Sequence, residues 1–169
     1  MIQDPQDWPS LGTFSERGDQ IQTDLLLSCE LQIMGRRTYE GFAAVWPTRS
    51  GDPMSDRINA MPKYVFSSRV THPTWEKTTV ITSDPVKAVR EMKEQDGRGI
   101  IHSGFGHLAH TLMAHGLLDE LRLWLNPSFV GHGGRRTHLP RRYATRWQLA
   151  DTVTLGSERE HRAPVERRS

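Results

Sequence analysis

The chain reads as an α/β fold built on a mostly parallel sheet, and three observations predict it. Short apolar runs bounded by turn residues, ELQIM, KYVFSS, TTVIT and GIIHS, are rich in β-branched and aromatic side chains. Segments of helical period separate them, as parallel neighbours require of their crossovers. The 169 residues suit one domain. A domain of about that size buries roughly 68–70% of its unfolded surface, enough for a real core.

Taken in order, residues 1–20 read as loop, because Pro5, Pro9, Gly12 and Gly18 interrupt any period. A short helix is expected through IQTDLLLSC, followed by the strand ELQIM. RRTYEGFAAVW steps round a helix that Pro47 stops, and SDRINAM supports another turn or two with Ser55 as its cap. After the strands KYVFSS and TTVIT, DPVKAVREMKEQ carries a full helix signature. Asp84 caps it, Pro85 takes its first position, and Val86, Val89 and Met92 form its apolar stripe. GIIHS is a strand ending at Gly104, and HLAHTLMAHG is a helix closed by Gly116. LDELRLWLN reads as a further strand, PSFVGHGG as turns, and RWQLADTVTL alternates as an antiparallel strand does. The whole of 1–169 is expected to be a single domain, with a loop-rich start and a tail from 157 too polar to pack.

Composition narrows the function classes. No run of about 18 apolar residues spans a membrane. MIQDPQDWPS has neither the basic nor the apolar region of a secretory signal. A single cysteine, Cys29, excludes an internal disulfide and accords with a reducing cytoplasm. Residues 135–169 hold nine arginines against four acids, a net of +5, so residues 1–134 carry −3 of the total +2. That basic stretch lacks the aromatic interleaving of a nucleic-acid platform and reads as solvated surface.

Chemistry concentrates at three strand ends, MGRRT (34–38), FSSR (66–69) and SGFGHL (103–108). In an open α/β sheet, ligands bind beyond the carboxyl ends of the strands. Gly104 and Gly106 allow backbone to approach a pyrophosphate, with the next helix offering its N-terminus. Arg36, Arg37 and Arg69, with Ser67 and Ser68, suit a second, terminal phosphate. The turn lacks the third glycine of a Rossmann fingerprint and the following ribose-binding acid. Other candidates have plainer readings. His102, His107, His110 and His115 do not share one helix face and read as helix-surface residues, so no metal is expected. Asp119 and Glu120 orient a turn, and Trp46 ends an amphipathic helix as core. Neither Asp19 nor Asp24 has the geometry on which to be named a proton donor, and no catalytic residue is assigned.

MGRRTYEGF, PKYVFSS, GFGHL and HGLLDELRL, in that order, resemble the reductases of the dihydrofolate reductase-like fold. The nearest resemblance is to the small bacterial proteins similar to the C-terminal reductase domain of the bifunctional riboflavin-biosynthesis deaminase/reductase. It covers roughly residues 4–134 and, weakly, 145–156. The resemblance implies NADPH as cofactor. Gly35, Arg36, Arg37 and Thr38 would hold its phosphates. Ser67 and Ser68, with Arg69 beside them, would lie near the adenosine 2′-phosphate, and Gly104, Phe105, Gly106, His107 and Leu108 along the pyrophosphate. Two departures are expected to matter. The family's first strand, central in its sheet, has no counterpart before the DPQDW segment, and its apolar last strand is replaced by SEREHRAPVERRS. Loss of the first would leave two neighbouring strands unpaired. The implied activity is reduction of a small heterocycle, carbonyl or imine, with an aminopyrimidine bearing a phosphorylated sugar as best candidate and a homodimer as candidate assembly. The alternative is a degenerate, non-catalytic nucleotide-binding or interaction protein of the same fold.

Overall fold

The computed structural model describes residues 15–95, 97, 99–125 and 147–155. Five α-helices and four strands are described, α1 (Glu16–Ser28), β1 (Cys29–Gly35), α2 (Arg36–Ala43), α3 (Pro53–Ala60), β2 (Lys63–Phe66), β3 (Thr78–Ile81), α4 (Pro85–Lys93), β4 (Gly99–Ser103) and α5 (His107–Ala114), with a short 3-10 helix at Trp46–Thr48. Among the described residues the four strands form one sheet in the order β3-β2-β1-β4. Every pairing is parallel. The expected α/β class is therefore the observed one.

Alternation along the parallel strands sorts side chains onto two faces. Met34 and Val65 share one face with Tyr39 and Phe42 of α2, Ile58 of α3 and Trp75. On the same face Ile101 packs with Leu26 of α1, Cys29 and Met61. The other face carries Ile33 against Val89 of α4 and Leu112 of α5. Three helices thus cover one side and two the other.

Local chemistry explains where the helices begin and end. Ser15 caps α1 by accepting from the Gly18 N–H at 3.2 Å, so helix starts at Glu16, inside the stretch expected to be loop. A serine cap outweighs one glycine in the first turn, where helical hydrogen bonds are not yet required. Ser55 does not cap α3. Asp52 does, accepting from the Ser55 N–H at 2.9 Å with Pro53 in the first turn. Asp84 and Pro85 open α4 as expected. Helix α5 closes with Gly116 at φ +65°, the Leu117 N–H bonding Leu112 O and the Gly116 N–H bonding Met113 O. That is a Schellman closure, which needs the left-handed residue.

The C-terminal strand expectations fail within the described residues. Neither 118–125 nor 147–155 forms a ladder. Leu123, Leu125, Trp147, Leu149 and Val153 lie exposed, Leu125 by 89% and Leu149 by 79%. Apolar alternation makes a strand only where the backbone pairs with a neighbour, and among the described residues neither segment pairs with the open edge of β3 or β4. The expected turns in PSFVGHGG, the N-terminal segment before Ser15 and the tail from 157 lie outside the described residues.

Candidate functional site

The register brings the three predicted strand ends level. Gly35 pairs with Phe66, and Met34 pairs with Ser103, so β2, β1 and β4 end side by side. From β1 the chain turns into α2 on one face of the sheet, and from β4 into α5 on the other. Connections that leave neighbouring strands for opposite faces open a crevice at their carboxyl ends. By that rule the candidate position is at the turns that begin at Gly35 and Gly104.

Both helices that follow start on a glycine without a side-chain cap, α2 on Gly35 and α5 on Gly106. Their first-turn N–H groups are therefore not satisfied by a capping side chain. A Cβ built on Gly35 or on Gly106 would meet nothing within 4 Å. Gly104 is different. Its φ is +89°, and an added Cβ would collide with the Thr38 hydroxyl. Gly104 thus lets the β4 turn lie directly against the first turn of α2.

Charge at the rim is positive. Arg36 donates from Nη1 to both Glu40 carboxylate oxygens, at 2.7 and 2.9 Å. Arg37 is exposed and makes no ion pair among the described residues. Two cations at a helix N-terminus oppose the macrodipole, which favours anions there by about 0.3–1 kcal/mol each. Glu40 offsets one of them. At the β2 end, Ser67 Oγ accepts from the N–H groups of Arg69 (3.0 Å) and Val70 (3.2 Å). Ser67 therefore shapes the turn, while Ser68 and Arg69 face solvent.

The β4 turn divides in the same way. Phe105 meets the His110 ring edge-on, with centroids 5.3 Å apart. His107 is exposed, its Nδ1 within 3.2 Å of Thr111 Oγ1. The Leu108 side chain packs into the Ile33–Val89–Leu112 core, so the rim has only its backbone to offer.

The remaining sequence candidates do not join this rim. Asp119 pairs with Lys93 at 2.5 Å and Glu120 with Arg122 at 2.5 Å, so the two acids serve separate ion pairs. Trp46 packs edge-on to Phe42 beneath the Arg49 guanidinium, as core. Asp24 accepts from Gln20 on the exposed side of α1. His115 lies against Thr111 O, and His102 is carried on the sheet face that α4 and α5 cover. Burial there pushes the His102 imidazole down to about 4.

Sequence reasoning passed over one pair on β1 and β4. Gln32, 0% exposed in mid-β1, donates from Nε2 to Ser103 Oγ at 2.6 Å. Its Oε1 is buried without a partner among the described residues. A glutamine inside the otherwise apolar run LQIM was the available signal.

Residues 3–159 match the RibD C-terminal domain family. The chain is also similar to the uncharacterized protein YyaP of Bacillus subtilis (strain 168), at 27% identity over 116 residues, 66% of this chain. The chain spans 61% of that relative's length. The matched stretch contains the whole described rim.

Proposed function

We propose, from the premise that this chain belongs to the RibD C-terminal domain family, a reductase-like family, that it is an NADPH-dependent reductase of a small heterocyclic, carbonyl or imine substrate. One observation carries the reading. Two uncapped helix N-termini, with open space at Gly35 and Gly106, follow the neighbouring ends of β1 and β4, and Arg36, Arg37 and Arg69 follow the ends of β1 and β2. Backbone N–H groups, helix dipoles and guanidinium groups together form a site for a polyanion with more than one phosphate.

The residues fit the cofactor. Gly35, Thr38, Gly104, Gly106 and the first-turn N–H groups of His107 and Leu108 would receive the pyrophosphate, with Phe105 covering one side. Ser68 and Arg69, held outward by the Ser67 turn, would receive the adenosine 2′-phosphate with Arg36 and Arg37. Bound there, NADPH would supply the hydride, and the protein position and electrostatics. The substrate reading is an aminopyrimidine bearing a phosphorylated sugar, of the 5-amino-6-(5-phosphoribosylamino)uracil type, reduced at the sugar's first carbon. Cytoplasmic placement and a homodimer complete the reading, the latter supported by the exposed apolar stretches at 121–125 and 147–153.

Fluorescence titration with NADPH and NADH tests the cofactor. Oxidation of NADPH in the presence of the aminopyrimidine tests turnover. Tight NADPH binding without oxidation across a panel of pyrimidine and pteridine substrates favours the non-catalytic alternative, and absence of NADPH binding overturns both. Sedimentation of the chain across a concentration series tests the dimer.

A further inference from the structure

We propose that Ser103 binds the nicotinamide end of the dinucleotide through its hydroxyl proton, and that Gln32 is the positioning residue that keeps this proton turned outward. The inference rests on reading the rim as an NADPH site and adds a contact and a polarity to it.

The polarity follows from strand order. Ser68 and Arg69 stand at the end of β2, and β1 separates β2 from β4. A dinucleotide with its 2′-phosphate at β2 and its pyrophosphate over Gly35 and Gly106 has its other end at β4. Two strand spacings, roughly 10 Å, separate β2 from β4. The last residue of β4 is Ser103, which is half-buried and not sealed off. Its side chain shares a face with Gln32, Met34 and Ile101, the face covered by α1 to α3.

The direction of the proton follows from hydrogen-bond accounting. A serine hydroxyl has one proton to donate and lone pairs to accept. Gln32 Nε2 occupies an acceptor site of Ser103 Oγ at 2.6 Å. The proton is then free for another acceptor. Gln32 is fully buried, and Ser103 is the one side-chain partner its amide has among the described residues. An amide left half-satisfied in a core costs stability, and this one spends its donor on the Ser103 hydroxyl. With the amide reversed, Ser103 would spend its proton on Gln32 and have none for a ligand. The two arrangements predict different binding, so the orientation is testable.

The experiment titrates the intact chain with NADPH and, separately, with 2′,5′-ADP, which carries the 2′-phosphate but no nicotinamide. Ser103→Ala should weaken NADPH by about 5-fold, the worth of one neutral hydrogen bond. Its affinity for 2′,5′-ADP should stay at the wild-type value, and Ser103→Thr should restore NADPH binding. Gln32→Met, which removes the orienting donor, should weaken NADPH in the same selective way and reduce the emission change of the bound dihydronicotinamide. Ser103→Ala leaves a buried N–H without its acceptor. The Gln32→Met/Ser103→Ala pair, which leaves none, therefore repeats the measurement if the single variant does not fold. Wild-type NADPH affinity in Ser103→Ala, or equal losses for both ligands, overturns the proposal. A wild-type chain that binds neither ligand overturns the NADPH reading of the rim, and this proposal with it.

Discussion

The Thr38 hydroxyl stands where a side chain on Gly104 would have to go, and Gly104 is held at φ +89°. Two independent constraints thus require glycine at one position of the β4 turn. The neighbouring Gly106 has neither constraint, since its φ of −131° suits any residue and a Cβ there meets open space. The two glycines therefore separate folding from binding. Gly104→Ala should destabilise the fold by at least about 1–2 kcal/mol from the left-handed backbone alone, with the Thr38 collision added. Gly106→Val should leave the melting curve within about 0.5 kcal/mol of wild type while blocking NADPH. A Gly106→Val chain that binds NADPH normally would remove the pyrophosphate assignment.

Arg36 and Arg37 give the second separation. Both sit at the positive end of α2, and Arg37 has no ion-pair partner among the described residues. Removing Arg37 should cost no stability and relieve a few tenths of a kcal/mol of repulsion with the helix dipole. Its loss with Arg36 should nonetheless weaken NADPH by roughly ten-fold or more, because hydrogen bonds to charged groups contribute about 1.5–3 kcal/mol. NADH, lacking the 2′-phosphate, should lose far less. Equal losses for the two cofactors would contradict the assignment of these arginines.

What was legible in the sequence was what local chemistry controls. Asp84 and Pro85 announced α4, Gly116 announced the end of α5, and the three strand ends carried their arginine, serine and glycine side chains in plain view. What was not legible depended on register. Gln32 and Ser103 are 71 residues apart in the chain, and only the pairing of β1 with β4 makes them neighbours. Asp52 took the cap expected of Ser55 because it stands three residues earlier with Pro53 behind it. Among the described residues, the strand expectations at 118–125 and 147–155 failed for a related reason. Alternation reports that a segment would suit a sheet, but not that it pairs with one of the sheet's edges.

Lys63 opens an apolar strand, yet it is 0% exposed. Its Nζ donates to Ile58 O (3.2 Å), Asn59 O (2.9 Å) and Met61 O (2.9 Å) and lies 4.3 Å from the centre of the Trp75 ring. The ammonium therefore closes the C-terminus of α3, where carbonyls lack helical partners and the dipole is negative. Burial, with Lys77 nearby, holds its pKa down to about 8, so the charged form persists at neutral pH. Lys63→Met should keep the packing on Trp75 but orphan the carbonyls, lowering stability by about 1–3 kcal/mol in urea denaturation. A variant as stable as wild type would mean that the carbonyls are satisfied without the lysine.

His102 supplies a prediction about acid. It pairs in register with Ile33 on the face that α4 and α5 cover, and its Nε2 has no partner among the described residues. Burial pushes the imidazole from 6.5 down to about 4. Between those values the unfolded chain binds a proton that the native chain does not, so stability rises with pH across the interval. The contribution of neutral His102 is fully present above 6.5 and is lost as pH falls toward 4. His102→Leu removes both the titration and the unpartnered nitrogen, so it should be at least as stable as wild type at neutral pH. Its advantage should widen on acidification, because only in the wild-type chain does the unfolded state take up a proton at residue 102 that the native state does not. Urea denaturation of both proteins at several pH values between 4 and 6.5 measures the difference directly. Other titrating groups, common to both chains, cancel in the subtraction. A stability difference that stays constant across the interval would mean that His102 reaches solvent or a partner when it takes up its proton.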